Sequence, residues 1–251
     1  MKVAIITPYF KEPEATLQRC LSSVQAQDYA AVHILVADGH PQPFIDNAGV
    51  RHVQLDRAHA DAGNTARGIG ALLAVAEEFD AISFLDADNW FEPQHVSACI
   101  ATAMATPLVP DFVVARRRLV RPDGSELLEA RVEDESTQHV DTNCLFLLRG
   151  SFYTAPRWAL LPKALYDVGD RVYLRLLIAE GLRASRCPEV TVNYSCTWRS
   201  PYLAANEEPP ADAKPDPDPA HFAQWWRALN ASERVVASRL VGFPLVKAAK
   251  M

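Results

Sequence analysis

Cysteine is scarce in this chain, and its placement gives no sign of a metal site or a disulfide framework. The 251 residues include five cysteines, an odd number, and these are scattered along the sequence. No two of them have the spacing of a zinc-ligand pair. We therefore expect buried thiols in a reducing cytoplasm. The positions are Cys20, Cys99, Cys144, Cys187 and Cys196.

An excess of positive charge is also lacking. The chain has 25 Lys and Arg residues against 31 Asp and Glu residues, which gives a formal net charge of -6. A general nucleic-acid-binding protein normally presents a basic face, so we expect no nucleic-acid partner. No apolar run reaches the roughly 20 residues that a transmembrane helix needs. The start, MKVAIITPYF, is too short and too strand-like for a signal peptide, so a cytoplasmic location is expected.

Short apolar runs alternate with helical patterns in residues 1–90. Residues 3–6, 33–37, 51–55 and 81–85 have the apolar and β-branched composition of strands. Helices are indicated after Pro13 and over residues 71–78. The order strand, helix, strand, strand, helix, strand is typical of a doubly wound α/β sheet.

Two carboxylates end the fourth of these strands. In the stretch AISFLDADNW, at 81–90, an apolar run leads directly into Asp86 and Asp88. Residues i and i+2 of a strand point the same way, and open α/β sheets bind ligands at the carboxyl ends of parallel strands. The pair could therefore hold Mg²⁺ or Mn²⁺, with phosphate oxygens completing the shell. The alternative is a strand that simply ends in an acidic turn.

Polar residues at other strand and helix ends are further candidates. Asp38 follows the second strand and is suited to a base or ribose donor, or else to an Asx turn. Arg67, at a glycine-flanked helix start, could reach a diphosphate or could be a solvated helix arginine. The nearby glycines do not form a P-loop, because no Gly-Lys-Ser/Thr follows them. The first strand is not followed by GxGxxG either, which disfavours a Rossmann dehydrogenase.

Four motifs in one order make the pattern specific. The sequences TPYF, VADGH, GNTARGIG and FLDADNW follow one another as in family-2 glycosyltransferases, and the resemblance covers roughly residues 2–200. The chain thus resembles this family, which implies a GT-A-like α/β fold: a doubly wound, mixed, mostly parallel sheet flanked by helices. A small C-terminal helical appendage is expected in addition.

The resemblance also implies roles for the candidate residues. Thr7 and Pro8 would line the pocket for the nucleotide base, Asp38 would hold the base, and Arg67 would lie near the base and the phosphates. Asp86 and Asp88 would be the Asp-x-Asp pair for a divalent cation, Mn²⁺ or Mg²⁺, with Asp88 the more direct ligand.

The implied activity is metal-dependent transfer of a sugar from a nucleotide-sugar donor to an acceptor hydroxyl, with inversion. A UDP-sugar is the favoured donor. The acceptor would be a glycan, a lipid-linked molecule or a small molecule, as in bacterial-type glycan or polysaccharide synthesis. A sugar nucleotidyltransferase and a non-catalytic nucleotide-sugar-binding protein remain alternatives. The first should carry a glycine- and lysine-rich phosphate loop after strand one, where this chain has YFKE.

The general base is assigned to Asp170, with Asp141 as its rival. In the family, a Glu-Asp motif at a helix start supplies the base; here only Asp170 is present, and Arg171 fills the second place. Asp170 could instead be a helix-start residue favoured by the dipole. Asp141 precedes an apolar strand, with His139 nearby, so either side chain could face the crevice or cap a turn.

The remaining regions define the expected organisation. Residues 1–202 form the main domain, divided into a nucleotide-binding half, 1–90, and an acceptor-binding half, 91–202. Five arginines between 116 and 131 indicate a solvated strand edge or a site for an anionic acceptor. Residues 203–220, rich in Pro, Asp and Glu, are predicted to be a mobile linker or a lid.

Residues 221–251 are predicted to form two short helices with one strongly apolar face. That face carries Phe222, Trp225, Trp226 and Leu229. It should pack on the main domain or on a second subunit, which would make a homodimer. Peripheral membrane contact is the other option, favoured by Lys247 and Lys250 and opposed by the low cationic content.

Overall fold

The computed structural model describes residues 1–131 and 139–245, which form nine strands and seven α-helices. The strands are β1 Val3–Tyr9, β2 Ala31–Ala37, β3 Arg51–Gln54, β4 Ala81–Phe84, β5 Trp90–Phe91, β6 Phe112–Val120, β7 Glu126–Arg131, β8 Leu145–Leu148 and β9 Ala184–Ser195. The helices are α1 Glu14–Gln25, α2 Asn64–Ala76, α3 His95–Met104, α4 Gly169–Ala179, α5 Arg199–Ala204, α6 Pro219–Ala228 and α7 Ala231–Val241. Two longer 3-10 segments, Arg149–Leu160 and Lys163–Val168, lie between β8 and α4.

The described strands belong to one mixed sheet, in the order β3-β2-β1-β4-β8-β6-β9-β5, with β7 paired to β6. Strands β1 to β4 are all parallel, so their carboxyl ends meet along one edge. The sheet then continues through β8, which runs antiparallel to both β4 and β6. Helices flank the sheet, and the predicted α/β fold class is confirmed.

Burial on both faces explains why the central strands are continuously apolar. Every residue of β1, β4 and β8 is buried. Helix α2 lies very close to the sheet because Gly70 has no side chain. A Cβ at this position would lie only 2.6 Å from Cγ2 of Ile6. All five cysteines are buried thiols outside any disulfide bond, as the sequence predicted.

The two C-terminal helices pack on the main sheet domain. Phe222, Val241 and Leu245 are buried in the same core cluster as the strands. A capping box begins α7, since the Asn230 side chain accepts from the Glu233 backbone N–H and the Glu233 side chain accepts from the Asn230 backbone N–H. No helix within the described residues is long and apolar enough to cross a membrane. Lys247 and Lys250 lie outside the described residues.

Several details go beyond the sequence-based expectation or differ from it. Strand β9 begins at Ala184 and lies between β6 and β5. The two-residue strand β5 pairs with β9 at Val192 and Asn193. A strand of two residues has no recognisable sequence pattern. Helix α2 begins at Asn64, before the predicted start. Residues 207–218 are attached to the main domain through a β-bridge between Trp198 and Lys214.

The arginine cluster on β6 is engaged inside the chain. Arg116 donates to the Pro188 carbonyl at 2.8 Å, and Arg117 pairs with Asp141 at 2.8 Å. Arg121 pairs with Glu207. These three guanidinium groups therefore hold neighbouring segments together.

Candidate active site

A cleft of about 820 Å³ opens where β1, β2 and β4 end. It brings together seven of the eight predicted site residues. They are Pro8, Asp38, Arg67, Asp86, Asp88, Asp141 and Asp170. Six chain segments far apart in sequence thus line one cleft, and three of them lie at the carboxyl ends of parallel strands, where open α/β sheets bind ligands.

Thr7 is the exception, because its side chain points into the core. It is fully buried, and its Oγ1 lies 2.8 Å from Nε2 of His33. Burial lowers the pKa of His33 to about 3, so this histidine is neutral. Pro8, the next residue, lines the cleft, since successive residues of a strand point to opposite faces. Thr7 thus packs in the core below the cleft and does not line it, contrary to the prediction.

Asp86 is fixed by two partners from different elements. Nη2 of Arg67 donates to Asp86 Oδ1 at 2.6 Å, and Nδ2 of Asn143 donates to Oδ2 at 3.0 Å. The Asp86 backbone N–H also donates to Asn143 Oδ1 at 2.6 Å. Asn143 therefore sets both the main chain and the carboxylate of Asp86. Sequence reasoning missed Asn143 because nothing local connects it with a residue 57 positions earlier.

Arg67 is itself a buried cation at the cleft wall. It is only 4% exposed, and its guanidinium carbon lies 4.8 Å from the ring centre of Trp158. Nη1 donates to Asn64 Oδ1 at 3.2 Å. A guanidinium held by a carboxylate, an amide and an aromatic face has little freedom, so it presents a fixed charge to the cleft.

Asp88 is the less restrained member of the acidic pair. Burial, followed by the negative charge of Asp86, raises the pKa of Asp88 to about 7, and the positive charge of Lys214 acts in the opposite direction. The Asp88 carbonyl accepts from Nη2 of Arg19 at 2.9 Å, which fixes its main chain. A buried carboxylate whose pKa is raised in part by a neighbouring carboxylate lies in an environment that favours a cation.

The donor set fits a hard divalent cation that takes its remaining ligands from phosphate and water. Within residues 1–131 and 139–245, no group of three or more His, Cys, Asp or Glu side chains is arranged to hold a metal ion. Asp86 and Asp88 supply two carboxylates that could hold one together with phosphate and water, and Asp88 has the freer carboxylate. The metal role of both residues stays a prediction.

Asp38 binds a loop of its own chain. Its Oδ1 accepts from the His59 backbone N–H at 2.8 Å, and its Oδ2 accepts from the Ala60 backbone N–H at 2.8 Å. The loop is unusual, because Ala60 and Ala62 both have positive φ, at 51° and 57°, followed by Gly63 at 75°. A backbone with these φ angles is strained, and the two hydrogen bonds to the Asp38 carboxylate stabilise it. Its contact with a base stays a prediction.

The same loop presents a polar atom that sequence reasoning missed. Asp61 is 2% exposed and lines the cleft; its Oδ2 accepts from the Thr65 backbone N–H at 2.9 Å. No described residue donates to its Oδ1. A buried acceptor of this kind is normally paired, so it marks this wall as polar and ligand-facing. The sequence offered no signal beyond an acidic residue in a loop.

Asp170 lies at the start of α4 and is paired with His139. Nε2 of His139 and Asp170 Oδ2 are 2.8 Å apart, and Asp170 Oδ1 accepts from the Arg171 backbone N–H at 2.7 Å. Burial alone would raise the pKa of Asp170, but the hydrogen bond and charge of His139 outweigh it and hold the pKa below its usual range. The carboxylate is therefore ionised at neutral pH and lines the cleft.

Asp141 has a different setting from Asp170. Its Oδ2 pairs with Nη1 of Arg117 at 2.8 Å, and its Oδ1 accepts from the Asn143 backbone N–H at 2.9 Å and from Asn143 Nδ2 at 2.6 Å. Burial raises the pKa of Asp141, and the Arg117 charge opposes that rise. Both oxygens are thus engaged in holding the turn that carries Asn143.

The fold and this cleft define an α/β protein with a polar, acid-rich ligand site at the carboxyl edge of its parallel strands. The chain belongs to glycosyl transferase family 2, whose family model matches residues 4–167, more than half of its length. The family predicted from the four sequence motifs is therefore confirmed.

A curated relative and several solved structures are similar to this chain. The succinoglycan biosynthesis protein ExoW of Rhizobium meliloti (strain 1021) is 32% identical over 102 residues, which cover 38% of this chain and 32% of that protein. The structure of S. aureus TarS residues 1–349 with UDP-GlcNAc has a TM-score of 0.61 at 12% identity, covering 96% of this chain and 72% of that one. The complex with UDP has a TM-score of 0.59 at 13% identity, covering 96% and 71%. At these identities the structural likeness shows the fold.

Proposed function

We propose that this protein transfers a sugar from a nucleoside-diphosphate sugar to an acceptor hydroxyl, with inversion at the anomeric carbon. The observation that carries the proposal is the meeting, in one cleft of a family-2 chain, of the Asp86–Asp88 pair with the ionised Asp170. A UDP-sugar is the favoured donor, supported by the UDP and UDP-GlcNAc complexes of the structural neighbours. Polysaccharide synthesis is the favoured context, given a relative named for succinoglycan biosynthesis.

The nucleoside is assigned to the wall formed by Pro8, Asp38 and the loop 59–63. Gly63 packs against Pro8, since a Cβ on Gly63 would lie 3.0 Å from two side-chain atoms of Pro8. In this arrangement Asp38 positions the loop that lines the base pocket. A lone pair of the Asp38 carboxylate that the loop does not engage can also accept a hydrogen bond from the base. Arg67 then contributes its fixed positive charge toward the phosphates.

The diphosphate is assigned to the neighbourhood of Asp86 and Asp88, together with a divalent cation. When bound, Mn²⁺ or Mg²⁺ would neutralise charge that develops on the departing diphosphate. The contribution of this chain is to hold Asp86 through Arg67 and Asn143, and to leave the Asp88 carboxylate available as a ligand.

Asp170 is the proposed general base. An inverting transfer needs one carboxylate that takes the acceptor proton as the oxygen attacks the anomeric carbon. Asp170 is ionised, and His139 fixes one of its oxygens. Asp141 is a weaker candidate because Arg117 and Asn143 engage both of its oxygens.

Two measurements test the proposed function together. A thermal-shift screen of nucleoside diphosphates with and without Mn²⁺ should show the largest stabilisation with UDP and metal. Incubation with UDP-sugars should then release UDP, slowly as hydrolysis and faster with a hydroxyl acceptor. Binding of UDP with no turnover on any donor and acceptor pair would favour the non-catalytic alternative.

A further inference from the structure

Residues 207–218, predicted to be a mobile linker or a lid, are fixed along the cleft. At the start of this segment, Glu207 pairs with Arg121 of the main sheet. At its end, Asp218 caps α6 through a 2.8 Å hydrogen bond from the Ala220 backbone N–H. We call this segment the strap. Its two ends are therefore tied to separate elements of the domain.

Lys214 fixes the middle of the strap through its backbone. Its N–H donates to the Thr197 carbonyl at 2.7 Å, and its carbonyl accepts from the Arg199 N–H at 3.0 Å. These bonds involve main-chain atoms alone. The side chain of Lys214 is thus not needed to hold the strap in place, which leaves it available for another role.

That side chain belongs to the cleft wall. Lys214 lines the cleft together with Trp198, and its Nζ lies 5.7 Å from the centre of the Trp198 ring. The aromatic face restricts where the ammonium group can lie. Asp86 and Asp88 line the same cleft. The strap therefore brings a cation to the cleft in which the diphosphate is assigned.

Two of the three arginines that line the cleft are already paired with carboxylates. Arg67 is paired with Asp86, and Arg117 is paired with Asp141. Within the part of the chain that the structure describes, no carboxylate lies within ion-pair distance of Lys214. A diphosphate carries more negative charge than one arginine, already shared with a carboxylate, can balance. A lysine suits a phosphate as a compact point charge.

We propose that Lys214 binds the diphosphate of the sugar-nucleotide donor, and that the strap forms the wall of the cleft behind this leaving group. The inference rests on the proposed function for its ligand. It adds a donor-binding residue from a segment outside the region that the family model matches, residues 4–167.

The test compares Lys214→Ala, Lys214→Arg and a control, Lys163→Ala, in the full-length chain. Lys163 is an exposed lysine outside the cleft. Affinity for UDP with Mn²⁺ is measured by isothermal titration, and affinity for uridine by ligand-observed NMR. We expect Lys214→Ala to weaken UDP binding by about 10- to 100-fold, the usual effect of losing one hydrogen bond to a charged group. Uridine binding should not change, Lys214→Arg should restore most of the loss, and Lys163→Ala should match wild type.

The outcomes separate this inference from the proposed function. If Lys214→Ala binds UDP as tightly as wild type, Lys214 does not contact the diphosphate, while the donor assignment stands. Equal weakening of UDP and uridine also overturns the inference, because the lysine would then act on the shape of the cleft. Failure of the wild-type protein to bind UDP, GDP or ADP overturns both proposals. Thermal melting of each variant confirms that the strap contacts persist.

Discussion

At the scale of single residues, the cleft is built from acidic side chains whose partners decide their roles. The positions of Asp86 and Asp88 could be predicted, because their spacing on a strand and the motif order are both local signals. The difference between Asp170 and Asp141 could not. It depends on His139 in one case and on Arg117 and Asn143 in the other, and only the folded chain brings these partners together.

Replacement of Asp88 by Ala should abolish metal-dependent nucleotide binding while leaving the fold intact. The expected loss of UDP affinity in Mn²⁺ is more than tenfold, because the freer carboxylate of the proposed cation site is removed. The measurement is isothermal titration of UDP with Mn²⁺ and with EDTA. An exposed carboxylate outside the cleft, removed in Asp56→Ala, serves as the control. Metal-dependent binding that survives in Asp88→Ala would show that the cation lies elsewhere.

Replacement of Asp170 by Asn should lower turnover by about 10²- to 10⁴-fold, the usual effect of removing a general base. UDP affinity should stay at the wild-type value, since the base acts on the acceptor. Asp141→Asn should cost less turnover but more stability, because it removes the buried ion pair between Asp141 and Arg117. Steady-state kinetics and urea unfolding distinguish these effects. If Asp141→Asn is inactive at full stability and Asp170→Asn is nearly active, the two roles are exchanged.

Removal of His139 should move the acid side of the pH–activity profile. His139 holds the pKa of Asp170 below its usual range, against burial and with help from Arg171. A base must be ionised, so activity falls as the pH drops through this pKa. In His139→Gln the charge that lowers the pKa of Asp170 is lost, while burial still raises it. The pKa of Asp170 should therefore rise, and the acid limb of the profile should move to higher pH. Initial rates between pH 4 and 9 test this. An acid limb that does not move would mean that another group controls it.

At the scale of secondary-structure elements, the strands and helices of the parallel half follow from apolar runs and their spacing. The apolar strand expected after Asp141 is β8, and the two expected C-terminal helices are α6 and α7. What could not be predicted is how loops and the strap attach. A Pro- and Asp-rich composition shows that a segment has no regular structure, but the bonds of Lys214 to Thr197 and Arg199 depend on main-chain atoms that carry no sequence signal.

Replacement of Asp38 by Ala should release the loop 59–63 and weaken binding of UDP and uridine alike. The side chain accepts from the His59 and Ala60 backbones, and the loop has two alanines with positive φ that need this support. Hydrogen exchange should rise at Ala60 in the free protein, and titrations should show matched losses for both ligands. If only UDP binding weakens, Asp38 belongs to the phosphate region instead.

At the scale of the whole molecule, the C-terminal helices share the core of the sheet domain. Phe222 is 7% exposed and lies in the same buried cluster as the strands, and its ring centre is 5.5 Å from that of Trp225. The apolar face was visible in the sequence, but whether it would cover the domain, a second subunit or a membrane was not. Described residues of this face contact the chain itself. We therefore expect the helices and the sheet to unfold together.

Replacement of Phe222 by Ala should lower the free energy of unfolding by about 3 kcal/mol, as for other large-to-small core changes. Urea unfolding should keep a single transition, followed by tryptophan fluorescence and by circular dichroism. Val235→Ala, at a side chain that is 50% exposed, should change stability by less than about 0.5 kcal/mol. Two separate transitions in the wild-type protein would show that the C-terminal helices form an independent unit.

The burial of every cysteine makes this chain convenient for site-selective dye attachment. The Cys99 hydrogen bond lowers the pKa of Cys187 to about 6, which would normally make a thiol reactive, but Cys187 is only 1% exposed. Maleimide reagents should therefore leave the native protein unmodified. One cysteine introduced at the exposed Glu208 would then be the sole reactive thiol, and a fluorophore there would report donor occupancy at the strap without any change to the cleft.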